Sequence, residues 1–514
     1  MILATIISYI FKFPDFYQEV PPRGMVRFLL NGEILMTNLS RRDFFGKTTV
    51  GIGAGLAFSN SWARVLAPKK FSKAEADVFI ELKALKKNLE ILSGKKTTFW
   101  SYSGKLIKGP SHTLTSLAGG YLGPTIEVKT GDRVKIIFKN AVDEKSIVHW
   151  HGLDVSHEND GHPHFAVESG KSYEYDFEVV NRAGMYWYHP HPHGRTGFQV
   201  YQGMAGLFVV RDREEAILNL PSGEFEKRFV IQDRLFKESG ELDYRPSMMG
   251  AFGDTLMING EKKPEVIKVK RGTYRFRFLN GCNARIFNLA LSSKDSFTQI
   301  GSDGGLLEKP VNLKRFYYGP AERFDCLMDF SKFSVGETVE LEGLPLVEGR
   351  GEKYTVLKFE IVEGKASIFE APTTLSHYDI IPEAEAVNAG NPKKFELIPK
   401  RGVGWTISGR AYTHNEFHED EVIKFGDTEV WEFYNPTGMP HPMHVHGTQF
   451  QILKREVGRL DGCLNEGWKD VVLVMPGDRI QVLKRFNTFK GLFIYHCHNL
   501  EHEDMSMMRN YKIL

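Results

Sequence analysis

The sequence predicts an all-β fold built from three sandwich or Greek-key barrel modules, and three observations carry that prediction. Apolar and polar residues alternate in short runs, as at Ile126 and Val128 and again at Val134, Ile136 and Phe138, with Gly-Asp pairs breaking the runs. A period of two marks strands with one buried face. No long amphipathic helical pattern competes, so sheets must cover sheets. Finally, the chain repeats itself. Gly131-Asp132 stands eighteen residues before His149, and Gly426-Asp427 eighteen before His444. Gly170 and Gly477 stand nineteen residues, and Gly184 and Gly491 five, before His189 and His496, with aromatic runs ending at Tyr188 and Tyr495. By spacing alone, the first and last modules are duplicates.

A weaker middle copy runs from Ile267 to Gly272 and on to Tyr274, Phe276 and Phe278, with no histidine where the others have theirs. It is expected to be a metal-free spacer. At 514 residues the chain exceeds the usual size of one core. The expected boundaries are an N-terminal extension and signal at 1–67, a first module at 74–212, a middle module at 213–365 and a third at 393–514. A linker rich in Pro, Ala, Glu and Asn fills 366–392.

Within the extension, Ser40-Arg41-Arg42-Asp43-Phe44-Phe45 precedes a Gly-rich apolar stretch from Val50 to Phe58, then Ser61-Trp62-Ala63. That order reads as a twin-arginine export signal cleaved after Ala63 or Ala67, which predicts a periplasmic or secreted protein. Such signals start close to their arginines, so Met36 is the expected translation start. The run from Met1 to Phe13 is short for a membrane span.

Charge excludes some functions. The formal charge is +2 with basic and acidic residues interspersed, which gives no footprint for nucleic acid. Four cysteines are too few for a disulfide framework. Cys282 and Cys326 interrupt apolar stretches and read as buried free thiols; the pairing of Cys463 stays open.

The chemistry concentrates in histidine. His149-Trp150-His151, His189-Pro190-His191, His444-Val445-His446 and His496-Cys497-His498 are four His-X-His units, and His502 and Met507 follow the last. Thiolate, imidazole and a long thioether are the ligand set of a blue-copper site. Alternate strand residues point to opposite faces, so each His-X-His suits straddling two neighbouring ions. His162-Pro163-His164 reads as a structural or surface pair. His193 reads as a supporting residue, because the nineteen-residue spacing selects His189. His112, His157, His377, His414 and His418 have no partner at useful spacing.

From about residue 75 onward these units resemble the copper signatures of the three-domain multicopper oxidases, the family of bacterial laccases and cuprous oxidases. The resemblance implies three cupredoxin-like domains and four copper ions. In the family pattern His149 and His444 hold the type 2 ion. His151, His189 and His498 hold one type 3 ion, and His191, His446 and His496 the other. His441, Cys497 and His502 hold the type 1 ion, with Met507 axial. Ser146, Pro190, Arg195 and Val200 occupy the matching places in the first module, so only the third can hold that ion. Asp160 and Glu503 fall where the family keeps acidic proton-relay residues. The stretches 253–280 and Gly319–Asp325 resemble family scaffold, of value for fold and not chemistry.

The implied activity is one-electron oxidation of a small-molecule or metal-ion reductant coupled to reduction of dioxygen to water; no coiled coil or other assembly motif is apparent in the sequence, so a monomer is expected. Phenols and aromatic amines are the expected substrates, with Cu(I), Fe(II) or Mn(II) as the alternative. The cuprous oxidases carry a Met-rich segment, whereas residues 362–425 contain no Met. Met248, Met249, Met505 and Met508 are expected to fill core gaps. A copper-storing or structural relative would have lost ligands, and a two-domain nitrite reductase would not need four His-X-His units.

Overall fold

The computed structural model describes residues 26–30, 33–37, 75–116, 119–365 and 367–514. It divides into two units that meet between Ala74 and Glu75. In the first, the strands Val26–Leu30 and Glu33–Thr37 pair antiparallel. The twin-arginine stretch and both cleavage points lie outside the described residues.

Six sheets build the second unit, in three consecutive pairs. The first pair has four and five strands within residues 78–211, the second seven and five within 226–365, and the third five and five within 393–513. Between Lys365 and Lys393 the described residues carry one short helical turn, Glu383–Glu385. The predicted period of two is visible directly: Arg133–Asn140 alternates half-buried and buried residues along its whole length.

Aromatic residues fill each sandwich. Trp150, Tyr175 and Phe208 pack in the first, Phe276, Phe278 and Phe359 in the second, and Trp431, Tyr495 and Tyr511 in the third. Burying each such ring contributes about 1.5–3 kcal/mol. Another apolar group joins the modules, with Phe99 and Trp187 from the first, Leu279 and Ala321 from the middle and Val471 from the third.

The duplicated spacing resolves into one local design used twice. Val148–His151 pairs antiparallel with Gly184–Pro190, setting His149 opposite His189. In the third sandwich His441–Val445 pairs with Gly491–Cys497, setting His444 opposite His496. Both histidine strands are buried throughout. Cys282 and Cys326 are buried free thiols, as expected, and Cys463 and Cys497 are also free.

Candidate metal centres

Eight imidazoles from the first and third sandwiches meet in one buried cluster. Nε2 of His496 lies 3.2 Å from Nε2 of His191 and 3.1 Å from Nε2 of His446. Nε2 of His149 faces Nε2 of His444 at 3.3 Å, and Nδ1 of His151 faces Nε2 of His189 at 3.4 Å. The His498 ring stands 5.0 and 5.2 Å, centre to centre, from those of His151 and His189. Both His498 nitrogens are buried without a hydrogen-bond partner.

The outward nitrogens show which atoms are left for a metal. Nδ1–H of His149 donates to the Asp160 carbonyl at 2.6 Å, and Nδ1–H of His444 to the Asp470 carbonyl at 2.7 Å. A carbonyl oxygen can only accept, so these rings turn bare Nε2 lone pairs inward. Two such lone pairs repel unless a cation stands between them. Ligands ~2.0 Å from a metal at tetrahedral angles are about 3.3 Å apart, which matches the observed spacing. Burial holds His149, His151, His191, His444, His446 and His498 well below the ordinary imidazole value and His189 at about 4. Neutral imidazole is the form that binds metal. The residues therefore fit the copper that the resemblance implies.

Both relay candidates touch the cluster. The Asp160 carboxylate accepts from Nδ1 of His446 at 2.7 Å, and burial pushes it well above the usual carboxylate range. Glu503 sets Oε2 3.1 Å from Nδ1 of His496 and Oε1 3.6 Å from Nδ1 of His191.

The second centre lies at the end of strand Gly491–Cys497. Sγ of Cys497 is 3.6 Å from Nδ1 of both His441 and His502, which are 3.2 Å from each other. The helix Leu500–Asp504, capped by Asn499, carries His502 back over the strand end. Two backbone bonds close the excursion, from Cys497 N–H to the Met507 carbonyl and from Met507 N–H to the His502 carbonyl, each 2.9 Å. This explains the spacing of five and ten residues after the cysteine. Met507 is fully buried in the same core as Cys497. Burial pushes the Cys497 thiol up and His502 down to about 3; a bound cation would supply the charge that favours thiolate. The Trp405 ring lies 4.7 Å from His441 and 4.8 Å from His502.

Three expectations change. The turn at Gly319–Asp325 is more than scaffold: Arg323 pairs with Asp470, and Asp470 Oδ1 accepts from Nε2 of His151 at 3.0 Å. The middle module thus reaches the cluster through a loop, where no histidine pattern could announce it. Met248 and Met249 do not fill core gaps, being 44% and 53% exposed, whereas Met508 is buried. They stand exposed because their turn is spent capping the second centre, the Met248 carbonyl accepting from Nε2 of His502 at 3.0 Å and from Trp405 Nε1 at 2.8 Å. Also, His414 has a partner, because exposed His193 meets its ring at 5.1 Å from a distant part of the chain. His162 is structural, its Nε2 bonded to Asn510 at 3.0 Å.

Sequence reasoning missed Asp470, Arg323, Trp405 and Lys484. Buried Lys484 donates to the His446 carbonyl at 3.0 Å, and burial pushes it down to about 7. Nearby, a cleft of about 510 Å³ is lined by Asp154, Thr448, Gln449 and Trp468. Thr448 and Gln449 also border a narrow gap lined by His149, His444 and His446.

Comparison with known proteins agrees with this geometry. The family model for multicopper oxidases matches residues 99–215 and 387–514. A multicopper oxidase of Staphylococcus aureus is 33% identical, over 88% of this chain and 92% of that protein. A laccase of Bacillus subtilis (strain 168) is 30% identical, over 78% of this chain and 90% of its own length. The crystal structure of the McoA multicopper oxidase from Aquifex aeolicus superposes with a TM-score of 0.76 at 34% identity, covering 85% of this chain and 96% of that one. With its cupredoxin-like sandwiches and two buried ligand clusters, this chain belongs to the multicopper oxidases, copper oxidoreductases that use dioxygen as electron acceptor.

Proposed function

We propose that the protein is a laccase-type oxidase of phenols and aromatic amines. The observation that supports this most is the chain continuity between the centres: Cys497 lies at one, and its neighbours His496 and His498 lie at the other. Copper at His441, Cys497 and His502 would supply one-electron oxidation, and three further ions on the eight imidazoles would supply the four-electron reduction of dioxygen to two waters. We assign the eight imidazoles to one type 2 and two type 3 ions as the family pattern implies, and Met507, buried in the same core as Cys497, would be a further ligand of the type 1 ion.

Each remaining task falls to the protein. The Cys497 backbone offers electrons a short covalent route. Asp160 holds Nδ1 of His446, Glu503 stands 3.1 Å from Nδ1 of His496, and both carboxyl groups lie where protons are needed. The cleft reaches Thr448 and Gln449, which also border the closed gap beside His149 and His444, so we place the approach of dioxygen and water on this side of the cluster. Met248 and Met249 are exposed on the turn whose Met248 carbonyl accepts from His502, and an aromatic substrate can rest against their side chains there.

Cu(I) oxidation is the second reading, favoured by the two exposed thioethers of Met248 and Met249, since soft ligands select Cu(I). Steady-state rates on a dimethoxyphenol and on Cu(I), with oxygen uptake followed in both, decide the order. The first reading requires the phenol to be the faster substrate, and a protein inert toward it refutes that reading. We further propose twin-arginine export to the periplasm or beyond and a monomeric state. N-terminal sequencing of exported protein, with a start near Ala63 or Ala67, tests the former.

A further inference from the structure

We propose that Arg323 of the middle sandwich is a positioning residue for the trinuclear cluster: its guanidinium clamps Asp470 so that this carboxylate holds Nε2 of His151 and leaves Nδ1 facing His189. The proposal rests on the reading of the eight imidazoles as a copper cluster.

His151 is wired in reverse. In His149, His444, His446, His189 and His496, Nδ1 is spent on a protein oxygen, which for His496 is the Cys497 carbonyl at 3.2 Å. His151 instead spends Nε2, on Asp470 Oδ1 at 3.0 Å, and sets Nδ1 3.4 Å from Nε2 of His189. Whatever fixes Asp470 therefore selects the ligand nitrogen of His151, as carboxylates behind metal-bound histidines do.

Arg323 is built to fix it. Nη1 donates to Asp470 Oδ1 at 2.8 Å and to the Ala321 carbonyl at 2.6 Å. Nη2 pairs with Asp470 Oδ2 and donates to the Asp303 carbonyl at 3.2 Å. A planar fork meeting both carboxylate oxygens restrains the carboxylate's rotation, which a point charge cannot do. The turn is held in turn by Asp303, whose carboxylate accepts from Arg323 N–H at 2.8 Å and forms an ion pair with Lys469 Nζ at 3.0 Å. Ala321 there adopts a left-handed φ of 68°, a strain that only a strongly determined loop sustains.

Gly152, directly after His151, supplies an independent sign. A Cβ there would lie 2.4 Å from Asp470 Oδ2 and 2.9 Å from Arg323 Nη2, so the missing side chain makes room for this ion pair.

The test compares copper-loaded wild type, Arg323→Lys and Arg323→Met by copper content, near-ultraviolet absorption of the coupled type 3 pair, electron paramagnetic resonance, blue absorption and turnover. Arg323→Met is expected to lose about 10- to 100-fold in turnover, with weaker type 3 absorption and more resonance-visible copper. The blue band and its bleaching rate by reductant stay at wild-type values. Arg323→Lys shows the same change to a smaller degree. Wild-type type 3 absorption and turnover in Arg323→Met overturn the proposal, as does a parallel loss of the blue band. If Arg323→Met does not fold, Arg323→Lys decides, and an unaltered type 3 signal in it refutes the role of the fork. Failure of the cluster reading would show in the unsubstituted protein; failure of this proposal shows only in the variants.

Discussion

Cys497 sets its sulfur 3.6 Å from Nδ1 of both His441 and His502, at one corner of a triangle, and its chain neighbours face the other cluster. A serine oxygen is a poor match for the soft thiolate position. Cys497→Ser is expected to abolish blue absorption and oxidase turnover, with far-ultraviolet circular dichroism unchanged because the Trp431 and Tyr511 core is untouched. A persistent blue band contradicts the assignment. Glu503→Gln keeps the size of the side chain but removes its proton chemistry, and is expected to slow oxygen reduction about 100-fold while anaerobic bleaching of the blue band keeps its rate. Unchanged turnover removes Glu503 from proton delivery. At this scale the histidines were legible because their spacing is duplicated. Asp470 was not: Asp160 lies eleven residues after His149, whereas Asp470 lies twenty-six after His444, and loops need not keep equal lengths between copies.

The paired histidine strands were readable from the turn glycines at fixed distances before them, since strand length fixes that spacing. The turn carrying Met248 and Met249 was not, because its exposure depends on where the middle sandwich lies against Trp405 and His502. Local sequence shows only two methionines in a row, for which a core role is the commoner one. Replacing both with alanine separates the substrates. If each thioether contact contributes on the order of 1.4 kcal/mol, Cu(I) turnover falls at least tenfold, while phenol turnover, which needs only contact, changes far less. Equal losses on both substrates would show that the turn serves as a general support for His502.

Across the whole molecule, the all-β class and the first and third modules followed from periodicity and repetition. The interface contacts did not, since residues such as Arg323 and Asp470 lie far apart in sequence. Because the cluster gathers imidazoles from both outer sandwiches, copper is expected to bind the docked chain and not separated modules. Stripping copper with a chelator is expected to lower Tm by roughly ten degrees and to restore it on reloading; an unchanged Tm would show that the apolar contacts alone hold the modules. The two aspartates at the cluster are crossed. Asp160 orients His149 of its own sandwich through its carbonyl and His446 of the other through its carboxylate, and Asp470 does the same for His444 and His151. Each half therefore leaves one imidazole, His151 or His446, to be oriented by the other, so a truncated or wrongly assembled chain is expected to retain the ions less well than the intact one.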